Sequence, residues 1–236
     1  MADRRRTSRC LGHSPALHRG IAMSEAVKQL QMGLLGLGFS PGLIDGLEGP
    51  KTLAAAVAYV ASRRGGKEAA PADLPWMIEA RSVFGLHETR DKARLSAWLK
   101  GGGKYLGDPS ALPWCGDFAE TCIARALPDE PFPGALGENP FWARNWTLFG
   151  KPVKPTYGAI LPFSRDGGGH VAFAVGEDTD SFFVLGGNQG NSVSIVRIHK
   201  SRLIDGLARW PTTFPHAHKP LPRMSAAGIP KSVNEF

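Results

Sequence analysis

Hydrophobic residues in the N-terminal part of the chain recur at spacings of three and four, which is the period of an α-helix. A first helix is predicted to begin after Ser24, a favourable N-cap residue. A second is predicted from Pro50, because proline is tolerated in the first helical turn. The first helix carries Val27, Leu30, Leu34 and Leu37 on one apolar face, and the second runs through Leu53, Val57 and Val60. Helical spacing returns between Pro75 and Ala126.

The pattern changes in the C-terminal half of the chain. Short runs of β-branched and aromatic residues are separated there by turn residues, which predicts antiparallel strands. The predicted strands cover 159–163, 170–175, 182–185 and 193–198. Helices followed by strands are typical of an α+β fold, here with a central antiparallel sheet.

Breaks in these patterns divide the chain into five segments. They are predicted to be a basic disordered leader, a small helical domain, a linker containing glycine and proline, an α+β domain and a proline-containing basic tail. The boundaries are 1–22, 23–64, 65–74, 75–213 and 214–236. A hydrophobic content of 42% over 236 residues excludes a collagen-like or wholly disordered chain.

The net charge of +7 is concentrated at the two ends of the chain. Residues 1–20 hold five arginines and one aspartate, while residues 196–236 hold seven basic and two acidic residues. Such ends attract polyanions, including anionic envelope polymers, but no groove-reading motif accompanies them, so specific nucleic-acid binding is not expected. The longest aliphatic run, 53–61, is too short for a membrane span, and the first residues lack the apolar segment of a secretory signal.

Cys115 is the candidate nucleophile because it opens a predicted helix. A helix N-terminus offers N–H groups without helical partners and a partial positive charge, both of which favour thiolate over thiol. The same N–H groups, including that of Cys115, can stabilise an oxyanion. Cys122 lies on the inward stripe of this helix and is expected to be a buried structural residue.

His170 is the candidate general base. In its predicted strand it shares one face with Ala172 and Ala174, and such small residues allow a helix to approach the sheet closely. The helix that begins at Cys115 is expected to pack there and to bring the thiol and the imidazole together.

A third residue is expected to orient His170. If the turn over 176–180 is symmetric, His170 faces Gly186 on the next strand. Asn188 then lies one diagonal step away and can accept a hydrogen bond from the imidazole N–H. A register slip of one residue gives this role to Gln189, so both residues are candidates.

These candidates lie in three motifs that resemble a known family. The motifs are Pro-Trp-Cys-Gly-Asp-Phe at 113–118, Gly-His-Val-Ala-Phe at 169–173 and Leu-Gly-Gly-Asn-Gln at 185–189. They are similar to those of the cysteine peptidase and amidase domains of the NlpC-like and CHAP group, which have papain-like folds and cut bacterial cell-wall peptides. The resemblance implies catalysis by Cys115, His170 and Asn188, with no metal or organic cofactor.

The small N-terminal domain carries a second resemblance. Its Ile-Asp-Gly and Gly-Pro-Lys-Thr segments are similar to the three-helix peptidoglycan-binding domain common in wall hydrolases. The resemblance implies wall contacts at Asp45, Gly46, Gly49 and Thr52. Three tryptophans are candidates either for a substrate groove or for core packing, and they are Trp114, Trp142 and Trp146.

Together the two resemblances imply a monomeric hydrolase that binds peptidoglycan and cleaves an amide or peptide bond of its stem peptide. Such an enzyme without a signal peptide is expected to be made in the cytoplasm and to act on the wall after release, as a phage or prophage endolysin does. Two alternatives remain open. One is a non-enzymatic wall-binding structural protein with a decayed peptidase fold, and the other is an injected antibacterial toxin of the same chemistry.

Overall fold

The computed structural model describes residues 24–39, 41–42, 44–63, 73–216, 220–224, 229 and 231–232. The predicted leader at 1–22 and most of the predicted linker at 65–74 lie outside these residues. The helices of the described ranges are α1 (Glu25–Gly36), α2 (Pro50–Arg63), α3 (Pro75–Ser82), α4 (Lys92–Lys100), α5 (Cys115–Ala126) and α6 (Gly134–Glu138). None of these helices is both long enough and apolar enough to cross a membrane.

One antiparallel sheet holds the six strands of the described residues, in the order β1-β6-β2-β3-β4-β5. The strands are β1 (Lys151–Val153), β2 (Ile160–Arg165), β3 (Gly168–Glu177), β4 (Ser181–Gly186), β5 (Ser194–His199) and β6 (Ala208–Trp210). The predicted α+β class is confirmed, and β2 to β5 correspond to the four predicted strands. The alternation of residues does not predict β1 and β6, because three residues are too few to establish a period of two.

The hairpin between β3 and β4 closes differently from the symmetric turn. Its outermost pair is Glu177 with Phe182. The turn is held by Asp178, whose Oδ1 accepts hydrogen bonds from the backbone N–H groups of Asp180 and Ser181 at 3.0 and 2.8 Å. This side-chain capping moves the centre of the turn away from its predicted position.

A β-bulge at 174–176 then shifts the pairing again, so that Phe173 pairs with Leu185. The predicted register, in which His170 faces Gly186, is therefore wrong. Neither a capped turn nor a bulge alters the alternation of hydrophobic residues, so the pattern alone does not reveal them.

Helix α5 covers the sheet at β3 and β4, where the core of the α+β part lies. The ring of Phe118 on α5 packs against that of Phe173 on β3, with centroids 6.1 Å apart. On its other side α5 contacts α3 and α4. Phe173 belongs to the alternating set on the face opposite His170, Ala172 and Ala174, so the approach of this helix to the small face of the His170 strand stays a prediction.

The apolar residues of the two N-terminal helices are only partly buried. Ser24 caps α1 as predicted, since its hydroxyl accepts a hydrogen bond from the N–H of Val27 at 3.3 Å. Leu34 on the apolar face of α1 is buried, whereas Leu53 on α2 is 66% exposed. The apolar residues exposed on the two helices and just after α1 are Leu30, Leu37, Leu53, Val57 and Val60.

The hydrogen bonds of Gln31 account for the exposure of these apolar residues. Its buried carboxamide donates to Oδ1 of Asp45, to Oγ1 of Thr52 and to the carbonyl of Leu47, all at 3.0 to 3.1 Å. Its oxygen accepts from the N–H of Gly46 at 2.9 Å. These bonds satisfy a buried amide only if the Gln31 and Thr52 sides of the helices face each other, and the apolar residues beside them then face outward.

Arg81 of α3 joins the N-terminal helices to the α+β part of the chain. Its guanidinium donates to the carbonyls of Leu35 and Gly36, which are C-terminal carbonyls of α1. It also donates to the hydroxyl of Tyr157 and pairs with Asp73 at 2.8 Å. The division into two domains stays a prediction, but contacts cross the proposed boundary.

The described residues of the predicted tail at 214–236 pack against the sheet. Leu221 and Ile229 are buried in the hydrophobic core. Lys231 forms a parallel β-bridge with Arg197 of β5. This part of the basic segment is therefore a component of the fold.

We predict that Arg81→Leu lowers the free energy of unfolding by about 2–3 kcal/mol, because it leaves Asp73 without its ion pair and removes the cap of α1. Arg90→Leu is the matched control, since Arg90 is 68% exposed and pairs only with a neighbouring aspartate and a backbone carbonyl. Its effect should stay within about 1 kcal/mol. Urea unfolding followed by fluorescence measures both, and equal losses would contradict the role given to Arg81.

Candidate active site

Cys115 is the first residue of α5, as the sequence predicts. The helix begins without a side-chain cap hydrogen bond, and its first turn presents backbone N–H groups at the partially positive end of the helix. Cys122, about two turns further along α5, is completely buried. Burial raises the pKa of the Cys122 thiol well above its usual value, which keeps this residue a neutral thiol of the core.

His170 lies in β3, opposite Phe163 of β2, and is 1% exposed. A single segment, 140–144, contacts the neighbours of both His170 and Cys115. A Cβ added at Gly116 would lie 2.7 Å from a carbonyl oxygen of this segment, and one added at Gly169 would lie 3.3 Å from a methyl carbon of it. The segment 140–144 therefore packs both against the start of α5 and against β3 beside His170.

Gln189 holds the imidazole of His170. Its Oε1 lies 3.0 Å from Nε2 of His170. Its Nε2 donates to the backbone carbonyls of Val184 and Ser194. Because a carbonyl only accepts, these two bonds fix the orientation of the amide and make Oε1 the group that faces the ring. In the neutral histidine Nε2 then carries the proton, and Nδ1 is the basic nitrogen.

Gln189, the second of the two candidates, is thus the one whose hydrogen bond to the imidazole of His170 is seen. Strand β4 ends at Gly186, and Asn188 adopts a left-handed conformation with φ 56° in the turn that follows. The turn directs the next side chain toward His170. Gly186 makes room for it, since an added Cβ there would lie 2.8 Å from Oε1 of Gln189.

The three candidate tryptophans separate into two groups. Trp114 and Trp146 are buried, and their indole N–H groups donate to Oε2 of Glu88 at 3.0 Å and to the carbonyl of Pro140 at 2.9 Å. Core packing is therefore the role of these two rings. Trp142 is 47% exposed and is the one of the three whose ring is available for a groove.

The residues implied in wall contacts have structural partners. Asp45, Gly46 and Thr52 are bonded to Gln31, and the hydrogen bond from Gln31 lowers the pKa of Asp45. Asp45, Gly49 and Thr52 also line a cavity of about 960 Å³ between the N-terminal helices and the α+β part.

Two buried carboxyl groups of α5 are absent from the sequence predictions. Oδ2 of Asp117 accepts from the N–H of Leu106 at 3.1 Å, and Oε1 of Glu120 accepts from that of Lys104 at 3.4 Å. Their other oxygens are buried without a hydrogen-bond partner. Desolvation raises the pKa of each to about 7, so both lose much of their negative charge near neutrality. Helical periodicity places the two residues one turn apart but does not show which loop covers them.

Comparison with known proteins assigns no family to this chain. It matches no family model, no curated protein and no solved structure. Any assignment of chemistry to the site therefore has to be argued from its residues and their geometry.

We predict that Asp117→Asn stabilises the protein at pH 8 and not at pH 4. The folded state holds the Asp117 proton up to about pH 7, whereas an unfolded aspartate loses it near its ordinary pKa of 3.8, so wild-type stability falls as the pH rises between these values. The variant lacks this loss and should gain up to about 4 kcal/mol at pH 8.

Urea unfolding at pH 4, 6 and 8 measures the effect. Asp129→Asn is the control, because Asp129 is exposed and has no comparable environment. An Asp117→Asn variant with the same pH dependence as the wild type would show that the carboxyl is ionised in the fold.

Proposed function

We propose that the protein is a peptidoglycan hydrolase that cleaves an amide or peptide bond of the stem peptide, with Cys115 as nucleophile, His170 as base and Gln189 as the residue that orients His170. The observation that carries this proposal is the 3.0 Å hydrogen bond between His170 and a carboxamide whose own orientation is fixed by two carbonyls. A core histidine needs only one partner, whereas a catalytic one needs a defined tautomer.

In the proposed reaction, Nδ1 of His170 takes the proton of the Cys115 thiol. The thiolate attacks the carbonyl carbon, a C–S bond forms, and the carbonyl electron pair moves to oxygen, where N–H groups of the first turn of α5 stabilise it. Collapse breaks the C–N bond, and His170 gives its proton to the leaving amine. Water, deprotonated by His170, then hydrolyses the thioester and restores the thiol.

The choice of peptidoglycan as substrate rests on the two sequence resemblances, which concern the catalytic motifs and the N-terminal helices. The papain-like arrangement and the wall-binding role of the N-terminal part belong to the same proposal. So do action as a monomer and release from the cytoplasm in the manner of an endolysin. The bond is either the N-acetylmuramoyl-L-alanine amide or a peptide bond within the stem.

The first test is the pair of variants Cys115→Ala and Cys122→Ala. Cys115→Ala should lower the release of soluble fragments from purified sacculi by more than about 10³-fold, because no other group replaces the thiol. Cys122→Ala should stay active and lose about 1 kcal/mol of stability through the cavity that it leaves.

Mass spectrometry of the released fragments identifies the bond that is cut. Inactive wild-type protein that still sediments with sacculi would favour the non-enzymatic wall-binding alternative. Equal loss in the two folded variants would remove Cys115 from the proposed role. An injected toxin would give the same products and is distinguished by an adjacent immunity gene.

The second test concerns the orienting residue. His170→Ala should be as inactive as Cys115→Ala, whereas Gln189→Ala should retain turnover reduced by about 10²-fold, because a misplaced base still reacts. Asn188→Gly is the matched control, since glycine tolerates the left-handed backbone at this position. If Asn188→Gly is more damaging than Gln189→Ala, the assignment of the orienting residue is reversed.

A further inference from the structure

Glu88 contacts both halves of the candidate site. Its Oε2 accepts a hydrogen bond from Nε1 of Trp114 at 3.0 Å, and Trp114 directly precedes Cys115. Its backbone N–H donates to the carbonyl of Asn191 at 2.9 Å, two residues after Gln189. One residue therefore connects the start of α5 to the turn that carries the orienting carboxamide.

The backbone around Glu88 is itself fixed to this turn. The N–H of Gly85 donates to the carbonyl of Val193, and the N–H of Val193 donates to that of Leu86, both at 2.9 Å. His87 and Ser192 form an antiparallel β-bridge between these bonds. The carboxylate of Glu88 consequently projects from a segment that is held to the turn of Gln189 by main-chain pairing.

Trp114 is the contact through which this segment reaches the nucleophile. Its ring lies against Gly187, where an added Cβ would be 2.6 Å from the indole, and meets the ring of Phe118 edge to face at 6.5 Å. The indole is 1% exposed, so its N–H depends on Glu88 for a hydrogen bond. Loss of that acceptor leaves a buried donor unsatisfied and favours a shift of the ring.

We propose that Glu88 is a positioning residue, which sets the placement of Cys115 relative to the His170–Gln189 pair by holding Trp114 with its side chain and the turn with its backbone. This inference rests on the proposed function, since it assigns Glu88 a part in the same reaction. Glu88 needs no contact with the substrate for this role. Its effect should therefore appear in the chemical step and in the reactivity of the Cys115 thiol.

The test compares Glu88→Leu, Glu88→Gln and Trp114→Phe. Glu88→Leu should lower kcat on soluble muropeptides by about 10–100-fold with little change in KM, because small displacements of reacting groups have effects of this size. Glu88→Gln should recover most of the activity, since its carboxamide oxygen still accepts from the indole. The double variant Glu88→Leu/Trp114→Phe should be little worse than either single variant, because both remove the same bond.

Glu79→Leu is the matched control. Glu79 pairs with Arg125 at the other end of α5, at 2.8 Å, so this variant removes an acidic contact to the same helix away from Cys115. Urea midpoints are measured for all variants to separate activity from folding. The inference is overturned if Glu88→Leu keeps the wild-type kcat, if Glu79→Leu loses as much, or if Glu88→Gln gives no rescue.

Alkylation of Cys115 by iodoacetamide across pH 5 to 9, followed by mass spectrometry of its peptide, gives a second readout. A displaced nucleophile should show a changed pH profile in Glu88→Leu and a restored one in Glu88→Gln, while Trp114→Phe covers the case in which Glu88→Leu fails to fold. Wild-type protein that is inactive on every wall fragment would refute the proposed function. Unchanged alkylation profiles with an active wild type would refute the role of Glu88 alone.

Discussion

The close approach of α5 to the sheet depends on side-chain volume being absent at a few positions. A Cβ at Gly187 would lie 2.6 Å from the ring of Trp114 and from Cβ of Phe118, and one at Gly186 would lie 2.9 Å from Cβ of Ala172. A side chain at Gly187 would push α5 away from the sheet, whereas one at Gly186 would meet Ala172 and Gln189. The packing of α5 on β3 and β4 and the position of the Gln189 carboxamide beside His170 both depend on space that these glycines leave to the backbone.

The features that sequence reasoning predicts correctly are those that follow a period or a local rule. The α+β class follows from the change of spacing along the chain, and Cys115 is placed at a helix start by the apolar stripe that follows it. The small face around His170 follows from strict alternation. In each case the property depends on hydrophobic burial, which repeats along an element and can be read without knowing its neighbours.

The features that it misses depend on single hydrogen bonds. Asn188 and Gln189 are both candidates for the orienting role, and the hydrogen bond of Gln189 to His170 follows a left-handed turn that the register argument does not contain. Gln31 and Thr52 turn polar sides inward because their bonds close on each other and on Asp45. Polar residues of this kind follow no period, since each is fixed by its own set of hydrogen-bond partners.

Strand β5 forms one outer edge of the sheet. The C-terminal segment covers part of this edge, since the N–H of Ser232 donates to the carbonyl of Arg197 at 2.8 Å and Lys231 pairs beside it. An uncovered strand edge exposes main-chain groups that recruit strands from other molecules. Loss of Lys231 and Ser232 would therefore expose main-chain groups of β5 to pairing with a strand of another molecule, although every residue of the candidate site would be intact.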